Sequence, residues 1–321
     1  MSILIITSKI DITSDFVVKS LKLKNLAFYR LNTEEIGRSL QITFDFNANK
    51  FLLFDRQINR TINLLDVKSV YFRRPEINDE LADISAGERN FVRSEILFVL
   101  EGIYKILRNA FWINTVEAIR NAENKIFQQL LAKQLELQTP DSLITNVPSY
   151  AQNFYLQHDT ACIIKPIKSG LVEGINEEGV IFTNKVEIND DNAKRIGVCP
   201  VYLQNLIEKE GDVRITVIGK RLFPALIHSQ SSEEARIDWR KSTLPLKHTV
   251  LALPPEIAQK CLELTRLLKL NFAAIDFILD KNGNFIFLEI NPNGQWAWIE
   301  KQLNFNISDE ITTLLAEGQP N

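Results

Sequence analysis

The sequence predicts an α/β layer followed by a mixed, mostly antiparallel α+β region. Three observations carry this. Residues 2–7, an amphipathic stretch and residues 26–30 make a β-α-β opening. Two long helical patterns then intervene. From about residue 142 strand-type runs dominate, and they end in a hairpin marked by Asn282-Gly283.

Taken in order, Ser2-Ile-Leu-Ile-Ile-Thr7 is a continuous apolar run, the pattern of a buried parallel strand. Phe16, Val17 and Leu21 share one stripe of a helix over 13–24, and residues 26–30 form the next strand. No glycine lies between Thr7 and Asp15, so the dinucleotide fingerprint is absent. Residues 41–54 alternate around Asn47-Ala48-Asn49 as a hairpin, and Val70-Tyr71-Phe72 is a short strand ending in Arg73-Arg74-Pro75. Helices are expected over 88–108 and 117–135, with a short strand over 111–114 between them. Strands are expected over 142–145, 162–166, 180–186, 201–207, 213–218 and 222–228. Pro254-Pro255 opens a helix to about Lys269, and the hairpin over 272–291 follows.

Bulk properties exclude several classes. The 321 residues carry a net charge of −3, so no positive field marks a nucleic-acid binder. There is no basic, apolar, small-residue leader and no apolar run of about 20 residues, so neither a signal peptide nor a membrane span is expected. Cys162, Cys199 and Cys261 are widely spaced, which argues against a zinc knuckle or disulfide framework and fits the cytoplasm.

The hairpin carries the chemistry. If Asn282-Gly283 is a two-residue loop, Asp276 and Glu289 stand directly opposite each other, and Asn291 points to the same face. Two like charges opposite one another in apolar strands repel, and desolvation adds to the cost. A hard cation removes the conflict, and two carboxylates with an amide oxygen suit Mg²⁺ that shares its other positions with phosphates. The alternative is one carboxyl of raised pKa bonded to the other. In the strand Ile163-Ile164-Lys165-Pro166, alternation turns Lys165 away from Ile164, and a lysine in so apolar a run calls for an anion.

The order Lys165, Gln204-Asn205-Leu206-Ile207, Arg214, Asp276 and Glu289-Ile290-Asn291 resembles the ATP-grasp superfamily over residues 116–318. The resemblance implies an ATP-grasp fold behind an N-terminal, Rossmann-like pre-ATP-grasp domain. It divides the chain at 1–115, 116–203 (central subdomain) and 204–321 (metal-bearing subdomain). It implies that Asp276, Glu289 and Asn291 hold two Mg²⁺ ions against ATP. Lys125 and Lys165 would contact phosphates, and Ser169, in Ile167-Lys168-Ser169-Gly170, would lie in a closing loop. Gln204, Asn205, Leu206 and Ile207 would form the adenine hinge, with Glu208 or Glu210 on the ribose. Arg214 would neutralise the transferring phosphoryl group.

Three further stretches are similar to the ligases that cyclise microviridin-like peptides, the graspetides. They are Tyr71-Phe72-Arg73-Arg74-Pro75, Ala235-Arg236-Ile237-Asp238-Trp239-Arg240, and the run from Trp112 to Asn146. Arg236 and Arg240 are planar, permanently charged groups suited to carboxylates. Asp238 is either a base beside them or the residue that orients them. The resemblance implies a precursor peptide as partner, its leader bound at a hairpin over 180–186 and the neighbouring helix, and a homodimeric enzyme. A Glu or Asp side chain is activated as an acyl phosphate and captured by a Thr or Ser hydroxyl, or by a Lys amine. The rivals are a ligase adding free amino acids to a protein or peptide, and a non-catalytic nucleotide-binding protein.

Overall fold

The computed structural model describes residues 2–78, 85–168, 170–173 and 178–318; for 171–173, 178 and 180 only the backbone is described. The chain divides into two compact units, one of residues 1–119, 269–272 and 293–321, the other of residues 120–268 and 273–292.

The first unit is built on a four-stranded sheet in the order Phe28–Asn32, Ser2–Thr7, Val67–Phe72, Phe111–Trp112, paired in parallel throughout. Leu4, Ile6, Leu31, Val70, Leu100, Ile103 and Trp112 close its core. The expected hairpin near 41–54 is Leu40–Asp45 paired with Lys50–Asp55, and a third antiparallel strand, Arg60–Asn63, extends it. Ser85 and Glu88 form a capping box that starts the helix Ala86–Ile106. Arg73 is buried: its Nε donates to Asp11 at 3.2 Å, and Nη1 donates to the carbonyls of Asn293 and Gly294 at 3.2 and 3.0 Å.

The second unit has two principal sheets. One runs Asn184–Val186, Cys162–Lys165, Val201–Asn205, Ser142–Thr145, all antiparallel. Its outer face packs Leu203 and Ile164 against Ala151, Ala193 and Ile196. The other runs His248–Val250, Arg221–Ile227, Lys209–Ile218, Phe272–Asp280, Phe285–Asn291.

Several boundaries differ from expectation. The single helix over 117–135 is two, Val116–Ala122 and Lys125–Gln134, because the Asn124 side chain accepts from Phe127 N–H and caps a new start. The single strand over 180–186 is split. Glu178–Val180 pairs with Leu171–Glu173, whereas Asn184–Val186 pairs with Cys162–Lys165 in another sheet. The strand expected at 213 begins at Lys209.

The acid hairpin keeps its predicted pair by a different route. Lys281-Asn282-Gly283 is a three-residue loop, with Asp280 N–H donating to the Asn284 carbonyl at 3.0 Å and Gly283 at φ +83°. The Asp280 carboxylate accepts from the N–H groups of Asn282 and Asn284, both at 2.8 Å. Near the tip Leu279 therefore faces Phe285, one residue off the two-residue register. The register shifts again between Asp276 and Phe277, leaving Leu288 as an extra, bulged residue and restoring Asp276 opposite Glu289. The groups the bulge frees are paired elsewhere: Phe287 N–H donates to the Gln138 carbonyl at 2.7 Å, and Gln129 donates to the Leu288 carbonyl at 3.3 Å.

Candidate active site

Asp276, Glu289 and Asn291 share one face of the hairpin. Asn291 Nδ2 donates to Asp276 Oδ2 at 3.2 Å and to Glu289 Oε1 at 3.3 Å. The two acids have opposite electrostatics. Burial raises Asp276, and Arg214 offsets this only in part, leaving it near 6. Burial also pushes Glu289 up, but Lys125, Lys165 and Arg240 outweigh it and hold it near 2.

The new helix start places Lys125 beside this pair. Its Nζ lies 3.2 Å from Glu289 Oε2 and donates to the Pro166 carbonyl at 3.1 Å. Gln128, one turn on, both donates to and accepts from the backbone of Ile290, at 2.9 and 3.1 Å, which fixes the strand against the helix. Lys165 Nζ sits 4.6 Å from the centre of the Tyr202 ring. Burial lowers its pKa to about 8 even though Glu289 pulls the other way.

Arg214 grips Asp276 at both oxygens, Nε to Oδ1 at 2.5 Å and Nη2 to Oδ2 at 3.1 Å, and lies 5.7 Å from the Trp239 ring centre. Asp238 holds Arg240 in the same bidentate manner, at 2.8 and 2.7 Å, and accepts from Thr183 N–H at 3.2 Å. Burial would raise Asp238, but its bonds to Arg240 keep it below its usual value. Of the two roles left open for Asp238, the geometry is that of an orienting residue. Arg236 is not brought into this group; it is exposed and pairs with Glu233 at 2.7 Å. Ser169 lies outside the described residues.

Lys125, Ile163, Lys165, Gln204, Asp238, Arg240, Asp276, Leu288 and Glu289 line one cleft of about 90 Å³ within the second unit. Of the hinge residues only Gln204 reaches it. Its Nε2 donates to Ser142 and Tyr202 at 2.8 and 3.1 Å, while its Oε1 is buried without a partner. The N–H groups of Asn205 and Leu206 are already given to the carbonyls of Asp141 and Ala161, at 3.1 and 2.7 Å. Leu206 and Ile207 are not among the lining residues; the apolar walls include Ile163, Ile237, Phe277, Ile278 and Leu288. Glu208 is exposed and pairs with Lys281 at 2.7 Å, and Glu210 is also exposed, on a strand rather than a loop. Tyr202, Lys209 and Asp212 were not singled out from sequence.

The donor set fits Mg²⁺. Two carboxylates and an amide share one face, and with the Asn291 amide turned so that its oxygen replaces Nδ2 they are hard oxygen ligands, too few to enclose an ion and so suited to one completed by phosphates and water. Among the described residues no group of three His, Cys, Asp or Glu could hold a metal. No helix among them is long and apolar enough to cross a membrane.

Comparison with known proteins bears on the family. The macrocyclase MdnC of Microcystis aeruginosa MRC, solved with its precursor peptide MdnA, is 26% identical; the match covers 99% of this chain and 100% of that one at a TM-score of 0.87. A RiPP-associated ATP-grasp ligase of Chryseobacterium gregarium, solved with ADP and a leader and core peptide, is 28% identical, with coverage of 100% and 98% and a TM-score of 0.88. A probable alpha-L-glutamate ligase of Shewanella denitrificans is 24% identical over 211 residues, 64% of this chain and 67% of that protein. Residues 2–120 match the MvdD pre-ATP grasp domain, and residues 122–315 match the RimK-like ATP-grasp domain. The chain belongs to the RimK-like ATP-grasp ligases, with an N-terminal pre-ATP-grasp domain.

Proposed function

We propose that this ligase activates Glu or Asp side chains of a ribosomal precursor peptide with ATP and joins them to Thr or Ser hydroxyls, or to Lys amines, closing rings. One observation carries the reading: an arginine, Arg240, locked by Asp238, lines the same cleft as Asp276, Glu289, Lys125 and Lys165. The full-length likeness to two ligases solved with peptides supports it.

In this reading Asp276, Glu289 and Asn291 hold Mg²⁺, two ions in all, which when bound offsets the charge of the phosphates. Lys125 and Lys165 bind phosphate oxygens, and Arg214 turns from Asp276 to the transferring group. Arg240 holds the substrate carboxylate. A carboxylate oxygen attacks the γ-phosphorus, the bond to the β-γ bridging oxygen breaks, and ADP leaves. The hydroxyl oxygen then attacks the acyl carbon, its proton is lost to solvent, and phosphate departs. The leader is held at the strands Leu171–Glu173 and Glu178–Val180 and the helix Asp190–Ile196.

A homodimer is part of the proposal. The helix Ala86–Ile106 buries only Leu100 and Ile103 while Phe91 and Phe98 are 67% and 82% exposed, an apolar surface that a second copy would cover. Three free cysteines fit a cytoplasmic setting.

The test is mass spectrometry of a Thr- and Glu-rich peptide encoded beside the gene, incubated with enzyme, ATP and Mg²⁺. Loss of one water per ring, with one ADP formed each time, supports the proposal. A gain of residue mass in the presence of free amino acids would instead favour an amino-acid-adding ligase, the activity named for the Shewanella relative. An unchanged peptide mass would overturn both.

A further inference from the structure

The tandem arginines of Arg73-Arg74-Pro75 have no part in the proposed chemistry, yet they occupy a particular place in the first unit. The strands Ser2–Thr7 and Val67–Phe72 are parallel neighbours with Ile6 opposite Phe72, and Arg73 N–H donates to the Ile6 carbonyl at 2.8 Å. Phe28–Asn32 flanks this central pair on one side and Phe111–Trp112 on the other, so the strand order reverses between the two. Open α/β sheets take their ligands beyond the carboxyl ends of the strands at such a reversal. Ser8, Arg73 and Arg74 follow directly on those two ends.

The two arginines differ in surroundings. Arg73 is 1% exposed; its Nε is held by Asp11 and its Nη1 by the carbonyls of Asn293 and Gly294. Thr7 and Ser14 also donate to Asp11, so this acid is fully engaged. Arg73 Nη2 is nevertheless buried without a partner, and so is the hydroxyl of Ser8, a residue likewise 1% exposed. Unpaired buried donors are destabilising, and two at one sheet end call for an acceptor. Arg74 is exposed. Around this end Lys9, Arg30 and Arg73 are each paired with an acid, namely Glu35, Asp15 and Asp11, whereas among the described residues Arg74 has no such partner. Loss of solvent, and then repulsion from Arg73, lower its pKa, although Asp11 opposes them. Its backbone stands at φ +43°, a conformation that residues other than glycine rarely enter and that concentrates at ligand-binding places.

We propose that Arg74, with Arg73 Nη2 and the Ser8 hydroxyl as inner donors, forms a subsite for a carboxylate: an acidic side chain of the precursor peptide other than the one being phosphorylated. Holding that second acid sets which acid is presented for reaction. The inference rests on the peptide-ligase reading. Planar guanidinium groups that stay charged match a carboxylate. Asp11 offsets one of the two arginine charges, so the cluster is left with one positive charge, the complement of one carboxylate.

The test is Arg74→Gln, an exposed change that leaves the buried bonds of Arg73 in place, with Arg74→Lys as the conservative partner. Steady-state ADP release is measured with the Thr- and Glu-rich peptide encoded beside the gene, and with versions in which each Glu or Asp is changed in turn to its amide. Arg74→Gln is expected to raise the KM for peptide by about tenfold and to leave the KM for ATP within about twofold of wild type. One amide peptide that still reacts should show the same rise with wild-type enzyme, and combining it with Arg74→Gln should add nothing further. Arg74→Lys should recover part of the loss. An unchanged peptide KM, equal rises in both KM values, or effects that add for every peptide would overturn the inference. Inhibition by free glutamate that Arg74→Gln relieves, with the peptide KM unchanged, would give the subsite to a free amino acid and overturn the peptide assignment. Wild-type enzyme that releases no ADP with peptide would refute the peptide-ligase reading, and this inference with it.

Discussion

Asp276 and Glu289 stand opposite each other on adjacent strands, yet they answer to different cations: Arg214 clasps Asp276, and Lys125 lies on Glu289. Asn291 bridges the two. The pair is thus divided between an arginine and a lysine, and each acid can be tested separately.

Glu289→Gln keeps the shape but removes the charge that compensates Lys125 and Lys165. We expect ADP formation to fall by at least about 10²-fold. The loss should be only partly relieved by excess Mg²⁺. Activity near wild type in an Mg²⁺ titration would remove Glu289 from the metal set.

Lys165 gives a pH dependence. Burial lowers its pKa to about 8, so in the free protein it loses its proton as pH rises through that value. Phosphate favours the charged form, so ATP binding above pH 8 should take up a proton. Calorimetry in buffers of different ionisation enthalpy reads this directly. The KM for ATP should rise above pH 8 in wild type and lose that rise in Lys165→Arg, whose charge does not titrate.

Gln204 carries a buried acceptor, Oε1, with no partner, in the cleft wall. An adenine amino group would satisfy it, whereas guanine presents a carbonyl there. Gln204→Leu should raise the KM for ATP by about tenfold and narrow the preference for ATP over GTP. Competition binding with labelled nucleotide measures both, and an unchanged preference would exclude this contact.

Gly283 sits at φ +83° with open space where a Cβ would be. Gly283→Ala should therefore cost about 1 kcal/mol from backbone strain alone. Denaturant titration measures the loss, and ligase activity at low temperature should be retained because the acids lie at the other end of the ribbon.

Much of this architecture was legible in the residue pattern. The β-α-β opening and the facing acids follow from period-two alternation and turn chemistry, which are local. The facing acids were found through an assumption that fails: the loop has three residues, and a bulge at Leu288 corrects the count. Bulges leave little trace in sequence, because the compensating bonds come from Gln129 and Gln138 on distant elements. The helix break at Asn124 was readable as a cap, but continuous apolar periodicity masked it. Arg236 and Arg240 look alike four residues apart; only the fold shows that Asp238 selects Arg240 and leaves Arg236 to Glu233. Lys209 and Asp212 gave no alarm because a short polar spacing reads equally well as a solvated turn.

The slipped residue at Leu288 also separates two lengths of one ribbon. Everything beyond it toward the bend can lengthen, shorten or change turn type, while the acids stay anchored through Gln128 and Gln129 to the helix behind them. The bend is thereby free to drift in evolution, and a tag or fluorophore grafted between Asp280 and Asn284 would report on this ribbon without touching its chemistry.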